Sequence, residues 1–463
     1  VHSDIMFHER FFKIINTVEF QRLNRIKQLS CEYVVFPTAT HTRFSHSIGT
    51  YHVMTKILSH FVKKLDELGV VVAPEEKDLA LCSALLHDIG HASFSHTFER
   101  TFNRGAHEKW TIEILKDKDT ELHKVIVEEF SEQFLERLIK IISKKGLREE
   151  KNPIFTLISQ LVSSQMDADR MDYLLRDSYF TSVTNGNYDL ERLIRSFEVV
   201  EREGKYIICV NEKYISSIEE YILARFYMHR EVYQHSLKRQ MESIIKKLFQ
   251  RGAQLYRENR LSFCDKSMAK LLLGEEISLK EYLRMDDTIL MYHMMRWEHE
   301  DDTILKKLCY SFLHRRKFYK NKIKKSIGDK NFLKDMINSI LEEHDKEKIS
   351  DFENQYFYLE NIVEIGIYDR EKDNIMTKKD LFIRNKAGEI LGYVDLSVDL
   401  RKMTVQVPGG GTDTRWYYRI LSNGKLEKDD NPNKPTDTHY VTMFIFCDDP
   451  SAAKVYDGNV QNP

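Results

Sequence analysis

Apolar residues recur at helical spacing through most of the chain. Phe20, Leu23, Ile26 and Leu29 predict a helix over 19–30, followed by a less regular stretch to Thr42 that contains Tyr33-Val-Val-Phe-Pro37. Met54, Ile57, Leu58, Phe61, Val62 and Leu65 then form one stripe, which predicts a helix over 43–65. Pro74 with Glu75 and Glu76 reads as a helix start, with the proline early and the acids near the positive dipole end. That helix runs through 79–86 and delivers His87 and Asp88 just before Gly90. Helical patterns continue to about residue 345. From about Phe352 the texture changes, and 356–367, 381–394, 403–407, 416–421 and 440–447 are β-rich runs separated by Gly, Asn, Asp and Pro.

Composition supports the same division. The 463 residues include only 18 Gly and 8 Pro, and no proline lies between Pro153 and Pro408. This excludes collagen-like and low-complexity chains, and it argues against an all-β protein. The expected fold is mainly α: a helical core over 1–265, a helical extension over 266–350, and a smaller C-terminal α+β lobe with a β-rich tail over 351–463. Lys and Arg number 70 against 72 Asp and Glu, a net charge of −2, so any polyanion site must be local. The longest apolar runs, such as 70–73 and 443–447, fall far short of the ~20 residues of a spanning helix, so no membrane span is expected and no leader is read. Six scattered cysteines without a C-x-x-C read as free thiols of a cytoplasmic protein. Pro408-Gly-Gly-Gly-Thr412 lacks the Gly-Lys-Ser/Thr of a phosphate loop and reads as a plain loop.

Histidine changes the picture most. Eight of the 18 histidines lie between His41 and His107. The sharpest part is Leu85-Leu-His-Asp-Ile-Gly-His91, preceded by Arg43-Phe-Ser-His46. An adjacent His and Asp leaving an apolar helix can offer a nitrogen and an oxygen to one ion. A second pair, His344-Asp345, sits in Leu-Glu-Glu-His-Asp-Lys-Glu-Lys without an apolar flank and reads as a solvated segment. A closing carboxylate is expected in 165–177, where Asp169, Tyr173 and Asp177 fall about 40° apart on one helical stripe. Two histidines and two carboxylates suit Mn, Fe, Zn, Co or Ni, with Mg as a helper. The competing readings are core histidines and a solvent-facing stripe.

These residues resemble the four ligands of the HD-domain phosphohydrolases. The likeness is strongest to the deoxynucleoside triphosphate triphosphohydrolases related to the SAM and HD domain-containing protein and to bacterial dGTPase-like enzymes. It is carried by Phe20-Gln-Arg-Leu-Asn-Arg-Ile-Lys-Gln-Leu29, Val35-Phe-Pro37, His41-Thr-Arg-Phe-Ser-His-Ser-Ile-Gly49, His87-Asp-Ile-Gly-His-Ala-Ser-Phe-Ser-His96, Asp167-Ala-Asp-Arg-Met-Asp-Tyr173 and His229-Arg-Glu-Val-Tyr-Gln-His235.

The resemblance implies that 1–265 is the catalytic domain and that His46, His87, Asp88 and Asp169 hold the metal. It implies that Arg43, His91, His107, Arg170 and Arg225 meet a triphosphate and that His96 is the general acid, with His91 and Asp88 beside it at the reacting centre. Gln28, Leu29, Tyr173, Asp177 and Tyr233 would line the sugar pocket, with Tyr173 excluding a 2′-hydroxyl. Arg225, His229 and Tyr233 also repeat at i, i+4 and i+8, as one helix face would. The implied reaction is hydrolysis of a deoxynucleoside triphosphate to a deoxynucleoside and tripolyphosphate, in a nucleotide-activated homo-oligomer (dimer or tetramer) serving nucleotide-pool balance or phage defence.

Departures are also visible. Ala92-Ser93 replaces a common Gly-Pro, Ser236 stands where relatives often place a lysine, and Asn16 and Asn24 stand where regulated relatives grip a guanine activator. The basic stretch 315–325 contains Arg316 and Lys320, which resemble effector-phosphate contacts; the plain alternative is a solvated basic helix face. Two other activities remain in play: a different HD-type nucleotidase or phosphodiesterase, and a nucleotide- or nucleic-acid-sensing module using 315–325, nucleic acid being a secondary partner.

Overall fold

The computed structural model describes residues 1–2, 4–144, 152–202 and 204–316, together with the backbone of strands between 319 and 446. The fold is mainly α. Helices α1 (Glu9–Ile15) and α2 (Val18–Gln21) lead into a 3₁₀ turn at Arg22–Arg25. The long α3 (Arg43–Glu67) packs against α4 (Pro74–Leu86). Next come α5 (His96–Phe102), α6 (His107–Lys116), α7 (Glu121–Glu129), α8 (Glu132–Ser143) and α9 (Pro153–Val162). Helix α10 (Ala168–Thr181) returns along α3, and α11 (Leu190–Arg195) precedes a hairpin of β1 (Phe197–Arg202) and β2 (Lys205–Asn211). The described helices end with α12 (Ile215–Met228), α13 (Ser236–Arg257), α14 (Lys266–Leu273), α15 (Leu279–Leu283), α16 (Asp287–Trp297) and α17 (Thr303–Leu313).

Two apolar clusters carry these helices. The first joins α3, α4 and α10 through Met54, Ile57, Phe61, Leu79, Leu85, Met171 and Leu174. The second gathers α13–α17 around Trp297, Leu248 and Phe312, and it takes in Phe94, Phe98 and Phe102 from α5 and the turn before it. Trp110 of α6 stacks on Tyr282 of α15 with ring centroids 3.7 Å apart. The histidine-bearing turn therefore lies where the two clusters meet. Beyond Arg316, β3 (Tyr319–Ser326) and β4 (Tyr358–Val363) flank β10 (Tyr440–Phe446) in an antiparallel sheet. Strand β5 (Phe382–Arg384) adds parallel to β2, with β6 (Ile390–Gly392) beside it, and β7 (Thr404–Val405), β8 (Trp416–Ile420) and β9 (Leu426–Lys428) form a third sheet.

Four local expectations are corrected. The helix expected over 19–30 stops at Arg25, because Ile26 is extended and its carbonyl accepts from Arg43 N, while Gln28 N donates to His41 O. Segment 26–28 is thus paired with the approach to α3 rather than coiled. Helical texture does not run unbroken to residue 345: Phe197, Val199 and Val210 bury one side of the β1–β2 hairpin, whose turn uses Gly204 at φ +71°. Arg225, His229 and Tyr233 do not share one regular α-helix, since His229–Tyr233 is a π turn. The basic stretch is a strand at Tyr319–Ser326, not a helix face. His344-Asp345, Cys447 and 408–412 lie outside the described residues. Among the described residues no helix is long and apolar enough to cross a membrane, and five cysteines are free thiols.

Gly49 of α3 is where the two long helices come closest. A Cβ there would overlap the Asp172 carboxylate and the Arg176 guanidinium of α10. Gly to Ala inside a helix ordinarily stabilises by about 1 kcal/mol. Here the overlap reverses the sign, so Gly49→Ala is expected to destabilise by about 1–3 kcal/mol, read as a lowered midpoint of denaturant unfolding.

Candidate metal centre

Three helix ends converge on one point. His46 comes from the first turn of α3, His87 and Asp88 leave the end of α4, and Asp169 sits in the first turn of α10. His46 Nε2 lies 3.0 Å from Asp169 Oδ1 and 3.7 Å from Asp88 Oδ2. His87 Nε2 lies 3.4 Å from each of Asp88 Oδ1 and Asp169 Oδ1. Both Nε2 atoms are buried without a hydrogen-bond partner of acceptable geometry. The other ring nitrogens are committed: His46 Nδ1 donates to Asp172 Oδ2 at 2.8 Å, and His87 Nδ1 donates to Ala84 O at 2.8 Å. Each imidazole thus turns an Nε2 lone pair toward two carboxylates, the arrangement a divalent transition ion requires. His46, His87 and Asp169 fit such an ion, with Asp88 beside them and also facing Arg43 and His91.

Electrostatics point the same way. Burial opposes charge on His46, but the close Asp169 and Asp172 carboxylates outweigh it and raise its pKa to about 10. Burial would raise Asp169, yet His87 and His46 hold it far below the ordinary carboxylate range. Metal uptake at such a cluster releases imidazole protons. Asp172, which sequence reasoning missed, organises it. Fully buried, Asp172 accepts from His46, from Arg176 Nε at 2.8 Å and Nη2 at 2.9 Å, and from His2 Nε2 at 2.6 Å. The i, i+4 pairing of Asp172 with Arg176 was the available signal.

A second group adjoins the first. Arg43 is buried, pairs with Asp88 and donates through Nε and Nη2 to Ser95 Oγ at 2.9 and 2.8 Å. His91 Nε2 lies 3.3 Å from Asp88 Oδ1, and its ring stacks on His107 at 3.7 Å. Burial, then Arg43 and His107, push the His91 pKa well down. Glu99, also missed, gathers the histidines: its Oε2 lies 3.0 Å from His96 Nδ1, and its Oε1 takes the His107 amide at 3.0 Å and His107 Nδ1 at 3.1 Å. His96 is the exposed member, placed by a turn in which Phe94 and Ser95 hold φ of +52° and +51°. Left-handed backbone is costly for both residue types, so surrounding bonds must hold it.

A third group lies along α10. Asp177 is buried between His41 Nε2 at 2.7 Å and the Tyr233 hydroxyl at 2.8 Å. Tyr173 faces His46 and Tyr233 across ring centroid distances of 6.4 and 6.1 Å. Gln28 Oε1 is buried without a partner, and Leu29 is buried beside it. Arg170 and Arg225 both donate to Gln165 Oε1, at 3.3 and 2.7 Å. His41 and Gln165 carried no distinguishing spacing. Lys238 Nζ holds the Tyr233 carbonyl at 3.3 Å and bridges Glu242 at 2.9 Å and Glu32 at 3.5 Å. Burial outweighs the attraction of Lys238 and, with the nearby Glu242 charge, lifts Glu32 to about 8. Arg316 ends up exposed after α17, and Lys320 lies in β3, where side chains are outside the described residues.

A family model described as the HD domain matches residues 43–177, and one described as the HD associated region matches 188–355. An uncharacterized protein of Mycoplasma genitalium, MG461, is 31% identical over 339 residues, spanning 68% of this chain and 76% of that protein. The chain belongs to the HD-domain family. An uncharacterized protein of Bacillus subtilis, YwfO, is 36% identical over 305 residues, 66% of each chain. Bovine (Bos taurus) deoxynucleoside triphosphate triphosphohydrolase SAMHD1 is 29% identical over 277 residues, 54% of this chain and 46% of that protein. The chain thus spans about half to two thirds of the length of several curated relatives it matches. A phosphohydrolase crystal structure from Bacteroides thetaiotaomicron superposes with a TM-score of 0.72 at 24% identity, covering 94% of this chain and 95% of that one, which shows a shared fold.

All four candidate ligands fall within the matched HD domain, whereas Arg225 and Tyr233 fall in the HD associated region. Asp172→Asn removes the charge behind His46 and should weaken Mn²⁺ binding by about 10–100-fold in calorimetry. Glu32 gives a separate pH test. Its folded pKa of about 8 exceeds the ordinary 4.5, so its contribution is complete below 4.5 and lost as pH rises through 8. Glu32→Gln should flatten that decline, a difference of up to about 5 kcal/mol in unfolding free energy between the two pH limits.

Proposed function

We propose that this HD-domain protein hydrolyses deoxynucleoside triphosphates to deoxynucleosides and tripolyphosphate. One observation carries the reading: Asp169, Tyr173 and Asp177 share a stripe of α10, so a candidate metal centre and a buried cluster of polar and aromatic side chains lie in line. The spacing suits a ligand with phosphate at one end and a small hydroxylated ring at the other. The named activity of SAMHD1 supports it further.

Within this reading His46, His87, Asp88 and Asp169 hold a divalent transition ion, with Mg²⁺ as a partner of the triphosphate. When bound, the ion supplies Lewis-acid stabilisation at the phosphate and lowers the pKa of a water. Arg43, His91, His107, Arg170 and Arg225 take the negative charge; several cations are needed for a ligand carrying about four charges. His96 is the proton donor to the leaving 5′ oxygen. Glu99 occupies its Nδ1, which leaves Nε2 to carry that proton. Asp177, Tyr233, Gln28 and Leu29 form the sugar end, and Tyr173 stands against a ribose 2′-hydroxyl.

The test is a panel of dNTPs and NTPs, alone and in pairs, with Mn²⁺ or Mg²⁺ and mass-spectrometric product identification. Tripolyphosphate and a deoxynucleoside are expected, with activating pairs revealing nucleotide regulation. His96→Ala should lower kcat by about 10²–10⁴ with little change in KM, and Tyr173→Ala should narrow the preference against ribose. Absence of tripolyphosphate under every condition sinks the proposal. Inorganic phosphate or a monophosphate, formed without discrimination against ribose, would assign a different HD phosphohydrolase chemistry.

A further inference from the structure

The turn that presents His96 is held from outside the HD domain. Asp287, the first residue of α16, is buried, and its carboxylate makes three hydrogen bonds of 3.0 Å. Oδ1 accepts from Ser93 Oγ and Phe94 N, and Oδ2 accepts from Lys27 N. Neighbouring bonds run in parallel: Ser93 N donates to Met285 O at 3.0 Å, and the Tyr282 hydroxyl donates to Gly90 O at 2.6 Å. Arg22 adds both Nη atoms to His91 O at 2.7 Å. Phe94 is one of the two positive-φ residues of this turn, at φ +52°, and its amide is bonded there.

We propose that Asp287 is a positioning residue of the active site, one carboxylate fixing the His96 turn and the Gln28 segment in register. Resting on the preceding functional reading for what these two segments do, it adds that their relative placement is set by a residue of the HD associated region. It also accounts for the Ala92-Ser93 departure. A proline at 93 would stiffen the turn by itself, whereas Ser93 supplies a hydroxyl and an amide proton, and both are bonded to 285–287. Lys27 immediately precedes Gln28, and its paired amide keeps 26–28 extended against 41–43. The two ends of the proposed substrate thus face segments tied to the same side chain. None of the metal ligands touches Asp287, so metal affinity and segment placement are separable.

Amide hydrogen exchange of the full chain tests this without assuming an activity. Loss of charge-assisted bonds should speed exchange in Asp287→Ala by about tenfold or more at both 92–96 and 26–28, with α3 and α10 unchanged. Ser93→Ala should accelerate 92–96 alone. In turnover, Asp287→Ala should lower kcat/KM about tenfold or more while Mn²⁺ affinity stays within about twofold of wild type. Wild-type exchange at both segments in Asp287→Ala overturns the proposal. If that variant loosens everywhere, Ser93→Ala decides: local acceleration upholds it, and no change overturns it. A wild-type protein that yields no tripolyphosphate would sink the activity reading, while the exchange result would still decide the role of Asp287.

Discussion

The structure depends on keeping two carboxylates and two imidazoles together out of water. Asp88, Asp169, His46 and His87 crowd within a few ångströms, and neither Nε2 has a hydrogen-bond partner. Desolvated charge of this density is tolerated only when opposite charge and fixed donors surround it. Asp172 supplies the negative charge behind His46, Arg176 and His2 balance Asp172, and Arg43 balances Asp88. The His46–Asp172 bond needs a close approach of α3 to α10. Gly49 permits it, because any side chain there would occupy the space of the Asp172–Arg176 pair. A requirement of the ion site is therefore written into the packing of two helices.

A second constraint follows from where the histidines lie. His46 and His87 are carried by α3 and the end of α4, whose apolar residues build the first cluster, while Phe94, Phe98 and Phe102, which flank His96, belong to the second. Motion between the clusters would open the distance between the metal and the proposed acid. Side chains cross that seam instead of a continuous helix: Arg22 to His91, Tyr282 to Gly90, and Asp287 to the amide of Lys27. A left-handed Phe94-Ser95 turn survives because these bonds over-determine it.

How much of this could be read beforehand differs by residue. The helical class and the α3 and α4 boundaries followed from apolar periodicity and Pro74: α3 buries a stripe, and α4 buries its whole C-terminal half, Leu79 to Leu86. The enrichment of histidine and the flank of His87-Asp88 pointed to a cluster that the structure does assemble, with Asp169 joining it. Tertiary pairing was invisible. Segment 26–28 looked helical because Ile26 and Leu29 keep the spacing, yet its backbone bonds go to 41–43. Likewise Arg225 and Tyr233 reach their places through a π turn that no periodicity announces. Asp172, Glu99 and Gln165 escaped because an orienting carboxylate or amide is defined by what it touches.

The cations are distributed in a way that bears on how an anionic ligand is recognised. Arg43 is engaged by Asp88 and Ser95, and Arg170 and Arg225 share Gln165. None extends freely into solvent to be recruited, so their geometry is settled before any ligand arrives. Pre-set donors lose less conformational entropy on binding and need little reorganisation. A glycine-rich loop achieves the same end with backbone amides. In the proposed function, this glycine-poor chain does it with side chains braced on helices, which makes the bracing residues as consequential as the donors they hold.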